Sequence, residues 1–402
     1  MRGRIALSGL PLLTHKLRTG GLAWLAERLL EEWRLPRTAP GQAFFRRVRA
    51  ISRAVTRASP SDRAPTDAAA ALYSFYDLGV APVSFDFLWF LVGAELERQR
   101  QELEQIHVVI VPGPYAGLRK ESLDLENSIT PEERRARVNT MLVPACALLP
   151  SLGGVTIAVS RAKAEAIVGF AGGKVFPARY EPAFPRYPGP QEPLRAAREE
   201  AARIGVLRAT PVDLTAVDDW LAARCRGSRV VTITLRGYDY VPARNSNIAA
   251  WLEFARRLDP TRFLVVFVPD TAQCFNGALA QLQDFPVFRE AAVALGLRMA
   301  LYQRAYLNLG VNNGPMGLCW LNDQTRYITF KMLSDAAPQT TPEYMQFLGF
   351  EIGKSLPFAT PWQQWVWAED ELEVIENAFA AMVRRLDHSI APLGSPNRSI
   401  SR

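Results

Sequence analysis

The chain has 402 residues, 49% of them hydrophobic, which is enough to bury two cores, and a single uninterrupted domain of this size is uncommon. Its net charge of +7 is local: residues 1–66 hold 13 Lys and Arg against 4 Asp and Glu, and the rest is slightly acidic. No apolar run reaches the roughly 18 residues a membrane span needs, and the three histidines, His15, His107 and His388, stand too far apart for a zinc site or a His-dependent triad.

Four cysteines, Cys146, Cys225, Cys274 and Cys319, are widely spaced beside apolar residues and read as buried thiols of a reducing compartment. The opening "MRGRIALSGLPLLTHKL" has a basic start, but its apolar centre is too short for a secretory signal. In "GLAWLAERLLEEWRL" Leu22, Leu25, Leu29 and Trp33 form one helical stripe. In "GQAFFRRVRAISRAVTR" Phe44, Val48, Ile51 and Val55 oppose Arg46, Arg49, Arg53 and Arg57. Such a helix, over residues 43–57, suits an anionic membrane surface; packing on the body of the protein fits the same pattern. Nucleic acid is not expected as a partner, because no nucleic-acid module accompanies the basic arm. "ASPSDRAPTDAAA" then reads as a linker, closing an arm over residues 1–70.

From Ala71 strands and helices alternate. "ALYSFYDL", "IHVVIVPG" and "GVTIAVSR" are strands, separated by the helices "DFLWFLVGAELERQRQEL" and "PEERRARVNTMLVPACALL". This spacing implies parallel strands in a Rossmann-like domain over 71–176, with His107 a structural residue at the head of its strand. "FPARYEPAFPRYPGPQEP" holds seven Pro and Gly and is expected to be the interdomain connection, residues 177–205. A second Rossmann-like domain over 206–369 follows: helix "TPVDLTAVDDWLAARC", strand "RVVTITLRG", helix "NSNIAAWLEFARRL", strand "TRFLVVFVPD", helix "PVFREAAVALG" and strand "RYITFKML". "AEDELEVIENAFAAMVRRL" is a structural amphipathic helix in a closing segment, 370–402. The expected fold class is α/β, two Rossmann-like parallel-sheet domains facing across a crevice, with an N-terminal amphipathic helical arm.

Before "RYITFKML" stands "LGVNNGPMGL", where Asn312, Asn313, Gly314 and Pro315 interrupt an apolar run. Asn and Gly tolerate unusual backbone angles, and Pro loses no donor in the first turn of a helix, so this is a tight turn opening a helix. Its free N–H groups offer an anion a place to bind; a plain connection from strand to helix fits the same residues.

Three stretches of the second half are similar to the nucleotide-binding domain of GT-B glycosyltransferases, most specifically the bacterial heptosyltransferase-like family. "VVTITLRG" with "ARNSNIAAWLEFARRL", "LVVFVPD" and "LYQRAYLNLGVNNGPMGL" carry the resemblance, over roughly residues 229–333. The family usually has an acidic residue and then Ser or Thr before Gly-Pro-Met, and a His after it; here Asn312, Asn313 and Gly317 take those places. The resemblance implies transfer of a sugar from a nucleotide-sugar donor, with donor diphosphate cradled at Gly314, Pro315 and Met316.

Such a transfer leaves growing negative charge on the departing diphosphate. No Asp-x-Asp triplet is present to hold a metal, so the expectation is no metal and no cofactor, with the charge met by side chains. Arg236 and Arg244 stand at the strand-to-helix turns of the expected ligand edge, where arginine forks suit phosphate. Asn245 is either the helix cap or a phosphate ligand, and Asp270 either meets the base or ribose or ends its strand. In the first domain Asp86, where "PVSFDFLWF" turns into a helix, is the candidate base and also a candidate cap. Arg119 and Lys120 are candidates for an anionic acceptor, or members of a solvated loop. The expected activity is glycosyl transfer to a cell-surface glycan or lipid-linked acceptor, in the cytoplasm and peripheral on the inner membrane face. A sugar-nucleotide epimerase of the same architecture and a non-catalytic nucleotide- or glycan-binding protein are the alternatives.

Overall fold

A computed structural model of the protein describes residues 70–225, 227–274 and 278–390. The basic arm, including the helix expected at 43–57, and the tail beyond 390 lie outside the described residues. The chain forms two compact α/β units that meet in sequence between Pro193 and Leu194.

The first unit is a parallel sheet in the order β3-β2-β1-β4: β1 Ala71–Asp77, β2 Gln105–Val111, β3 Leu152–Ile157 and β4 Val175–Phe176. β1 and β2 pair in register from Ala71 opposite Gln105 to Asp77 opposite Val111. Central parallel strands are covered on both faces, which is why "HVVIVPG" reads as a continuous apolar run instead of alternating. Helix α1, Phe87–Arg100, is buried at every position from Phe87 to Leu96, and packs Phe87 and Phe90 against Tyr76 at ring separations of 4.6 and 5.0 Å. Helix α2, Pro131–Arg137, begins at a capping box formed by Thr130 and Glu133. It widens through a π turn, Val138–Leu142, before Val143–Cys146, which accommodates Pro144 without a donor. Helix α3, Arg161–Phe170, follows β3.

The carboxyl edge of this sheet is tied by one buried carboxylate. Asp77, the last residue of β1, accepts a fork from Arg161 Nη1 and Nη2 at 2.9 and 2.8 Å, the Tyr180 hydroxyl at 2.6 Å and Gly79 N–H at 2.8 Å. Burial, and then the Asp77 charge, push the Tyr180 hydroxyl far above its ordinary value, so it remains a donor. His107 is structural as expected: its Nε2 lies 2.8 Å from Thr156 Oγ1, its ring stacks on Tyr73, and burial lowers its pKa.

The second unit is a parallel sheet in the order β6-β5-β7-β8-β9: β5 Arg229–Thr234, β6 Phe263–Val268, β7 Leu307–Val311, β8 Tyr327–Phe330 and β9 Gln363–Trp365. Two expectations need correction. The Pro-rich segment is not only a connection, because Gln191–Glu199 forms helix α4, whose Pro193 falls in the first turn where its missing N–H is not needed. Helix "PVFREAAVALG" is broken: Glu290–Val293 is one turn, Ala294 is extended, and the longer helix α7 is Leu295–Arg304. Gly296, the last residue of that quoted stretch, lies inside α7 with the Asp213 carboxylate against its α-carbon. β4 and β9 are too short to leave a periodic signal.

Helix α5, Pro211–Ala222, is capped by Thr210 and carries Asp218, which receives a fork from Arg304 of α7 at 2.6 and 2.7 Å. Helix α6, Ile248–Arg257, and the closing helix α9, Leu372–Ile390, share one core in which Phe379 meets Phe254 and Phe263 at 5.2 and 5.4 Å. Ile375, Phe379, Met382 and Leu386 of α9 are all buried there, so this helix is structural. Among the described residues no helix is long and apolar enough to cross a membrane. Cys146 and Cys319 are buried, and Cys225 and Cys274 are half-buried.

Asp77→Asn keeps the shape and removes the charge opposite Arg161. Breaking a buried, hydrogen-bonded pair from one side is expected to cost about 3 kcal/mol, read as a lower urea midpoint; an unchanged midpoint would show that the edge is held by apolar packing alone.

Candidate functional site

In the second unit β5 and β7 are neighbours, but the chain leaves β5 toward β6 and leaves β7 toward β8. The turns after these strands therefore open away from each other at one edge, the place where open parallel sheets take their ligands. Arg236, Arg244, Asn312, Asn313 and the Gly314 corner all lie on it.

The loop between β5 and α6 folds around Arg236. Its side chain is buried, and its guanidinium donates to Tyr240 O at 2.6 Å, to Val241 O at 3.1 Å and to Asn245 Oδ1. Asn245 closes the loop by exchanging hydrogen bonds with Tyr238, N–H to Oδ1 and Nδ2 to O, each 3.1 Å. Burial pulls the Arg236 pKa down, opposed by the Asp270 charge after β6. The donors named for a phosphate fork are thus engaged by carbonyl groups, while the positive charge stays at the edge. Asn245 is not the helix cap; Asn247 is, through its Oδ1 and Ala250 N–H.

Arg244 joins this loop to the next one. Its Nη2 donates to Asn312 O at 3.1 Å, across the gap between the β5 and β7 turns. Asn312 in turn donates from Nδ2 to Met332 O at 2.9 Å, fastening the turn to the end of β8. Lys331, which the sequence reading did not single out, reaches Asn245 O at 3.4 Å and pairs with Glu369 at 2.7 Å and Asp370 at 3.8 Å. Its signal was its place immediately after "YITF", on the same edge; its positive φ of 55° could be known only from the structure.

The corner itself is a 3₁₀ turn, Gly314–Met316, leading into a short helix α8, Gly317–Trp320. Asn313 caps it, its Oδ1 accepting Met316 N–H at 3.1 Å. Pro315 has no N–H, and Gly317 N–H is taken by the carbonyls of Gly314 and Pro315. Of the amides expected to cradle an anion, the corner therefore offers that of Gly314, and a helix this short adds little dipole.

In the first unit Asp86 is exposed at the head of α1, and its side chain makes no capping bond. Its Oδ2 accepts Ser84 Oγ–H at 2.8 Å, and Ser84 Oγ accepts Asp86 N–H at 3.3 Å. The capping expectation is thereby corrected, since Ser84 supplies the acceptor. Arg119 forks onto Glu121 at 2.6 and 3.0 Å and donates to Val80 O at 3.0 Å, so it braces the loops after β1 and β2. Burial pulls the Arg119 pKa down, and the fork on Glu121 more than offsets it. The charges of Asp86, Arg119 and Glu121 all act on the Tyr76 hydroxyl, which places the candidate base and the candidate acceptor cation in one neighbourhood. Lys120 is half-buried beside Arg119. Among the described residues no group of three or more His, Cys, Asp or Glu is placed to hold a metal ion.

No family model matches the chain, and no curated protein does. Among solved structures it is similar to the family 9 glycosyl transferase of Veillonella parvula DSM 2008, with 9% identity and a TM-score of 0.47 over 78% of this chain and 97% of that one. It is similar also to the Escherichia coli ADP-heptose LPS heptosyltransferase II, with 9% identity and a TM-score of 0.44 over 79% and 99% of the two chains. Fucosyltransferase NodZ from Bradyrhizobium matches with 14% identity and a TM-score of 0.30 over 63% of this chain and 94% of that one. Likeness of this degree leaves the chemistry to be argued from the chain's own residues.

Asn245→Ala removes the acceptor for Arg236 and Tyr238 N–H together. The expected cost is about 2 kcal/mol of stability, with faster amide exchange confined to residues 237–246; uniform exchange across the unit would refute this role.

Proposed function

We propose that the protein is a metal-independent glycosyltransferase that takes a sugar from a nucleotide-sugar donor and passes it to a cell-surface glycan or lipid-linked acceptor. The observation that carries this reading is the bond of Arg244 to Asn312 O at 3.1 Å, which joins the cationic loop after β5 to the turn after β7 at the point where the sheet reverses direction. A diphosphate fits that edge because it needs several positive groups held by a rigid frame.

In this reading Arg244, Lys331 and the Gly314 amide face the diphosphate, and Arg236 adds charge from beneath its loop. Asp270 lies after β6 for the ribose or base. As the bond from the anomeric carbon to the phosphate oxygen breaks, its electron pair goes to the leaving nucleoside diphosphate, and the acceptor hydroxyl oxygen bonds to that carbon. The hydroxyl proton passes to Asp86, which is exposed and carries no capping bond. Arg119 and Lys120 orient an acidic acceptor, and the basic helix at 43–57 holds the enzyme on the inner face of the membrane.

Calorimetric titration with ADP, GDP, UDP and CDP, in the presence of a chelator, tests this. At least one is expected to bind wild type, and Arg244→Ala is expected to weaken it by roughly 10- to 100-fold, the worth of a charged hydrogen bond. Asp86→Asn should abolish turnover and leave that affinity unchanged. Binding of none of the four by wild type would remove the reading.

A further inference from the structure

Arg298 belongs to the first turn of α7 and is 2% exposed. Its Nε donates to Ala291 O at 2.6 Å, its Nη2 has no hydrogen-bond partner, and among the described residues no carboxylate forms an ion pair with it. A guanidinium buried without a counter-ion strongly destabilises a core, so its persistence points to a partner that is not part of the chain.

Contacts on several sides locate the group. Thr271 Oγ1, in the turn after β6, donates to Ala292 O at 2.7 Å, beside the carbonyl that Arg298 holds. Tyr302, one turn along α7, lies 2.7 Å from Thr234 Oγ1 at the end of β5. Asn322, just beyond α8, donates to Met299 Sδ at 3.3 Å. Burial pushes the thiols of Cys274 and Cys319 up, and the Arg298 charge opposes that at both. Arg298 therefore lies in the part of α7 that packs near the ends of β5 and β6 and near α8. Lys331 is balanced by Glu369 and Asp370, and Asp270 acts on Arg236, whereas among the described residues no carboxylate is paired with Arg298, though Asp270 and Glu290 act on the same Cys274 thiol.

We propose that Arg298 is the buried counter-charge of a polyphosphate ligand, so that the phosphate group held at this edge neutralises a cation the protein leaves unpaired. The inference rests on the nucleotide-binding reading above only for where the ligand sits. The attraction between one buried charge and a diphosphate within its field sets the size of the effect, about 10-fold in affinity or more.

The test compares full-length wild type with Arg298→Met and Arg298→Lys by calorimetry and thermal melting, using inorganic pyrophosphate, the four nucleoside diphosphates and the matching uncharged nucleosides. Arg298→Met is expected to weaken pyrophosphate and diphosphate binding by at least about 10-fold, to leave nucleoside binding unchanged, and to melt without ligand no lower than wild type; Arg298→Lys restores most of the affinity. Equal affinity for pyrophosphate in Arg298→Met overturns the proposal, as does a lower melting point with nucleoside and diphosphate affinity falling together. Should Arg298→Met not fold, Arg298→Gln takes its place, and failure of both to fold makes the residue structural and overturns the proposal. Wild type that binds pyrophosphate through Arg298 but no nucleoside diphosphate keeps this inference and removes the nucleotide reading. Diphosphate binding indifferent to Arg298→Met does the reverse, and wild type that binds neither overturns both.

Discussion

Asn312 O, at the tip of β7, accepts from Arg244, and Asn312 Nδ2 donates to the backbone leaving β8. Parallel strands end with their carbonyl groups and the start of every crossover on one edge, where apolar packing gives out and polar backbone must find partners. In the second unit those partners are side-chain amides and cations. Asn245, Asn312 and Asn313 turn their amides back onto the loops, Arg236 holds carbonyl groups of its own loop, and Arg244 and Lys331 reach carbonyl groups of a different connection. The edge is rigid because its hydrogen bonds are satisfied, and it is cationic because arginine and lysine satisfy them. A carbonyl accepts a hydrogen bond without cancelling the charge of its donor, so the charges of Arg236 and Arg244 survive the stitching, whereas Lys331 is paired with Glu369 and Asp370.

The first unit solves the same problem with the opposite sign. Asp77, buried at the end of β1, collects Arg161, Tyr180 and Gly79 N–H around one carboxylate. That cluster is internally balanced, and Arg119 beyond it is paired with Glu121.

Much of the fold could be read from residues alone. The strands announce themselves as β-branched apolar runs, "HVVIVPG" and "LVVFVP", and the caps Thr130 and Thr210 stand where helix starts require them. β4 and β9 gave no warning, being too short for periodicity and paired on one side only. The site was legible as a set of positions, since the end of a parallel strand fixes which residues share an edge. It was not legible as a set of contacts. Asn245 was the cap expected from sequence, and the fold shows that it closes a loop while Asn247 begins the helix. Arg236 looked like a fork awaiting phosphate because its carbonyl partners, Tyr240 and Val241, carry no sequence mark. Arg298 looked like any helix arginine, since burial without a partner is a property of packing and not of pattern.

The central claim is that a phosphate-bearing ligand sits on the β5–β7 edge. Hydrogen–deuterium exchange of the intact protein, with and without a saturating nucleoside diphosphate, tests it most directly. The account predicts slower exchange in residues 237–246, at Asn313 and Gly314, and at Lys331, with the amino-terminal unit little changed. Protection confined to other segments, while ligand binding is confirmed in the same sample, would contradict it.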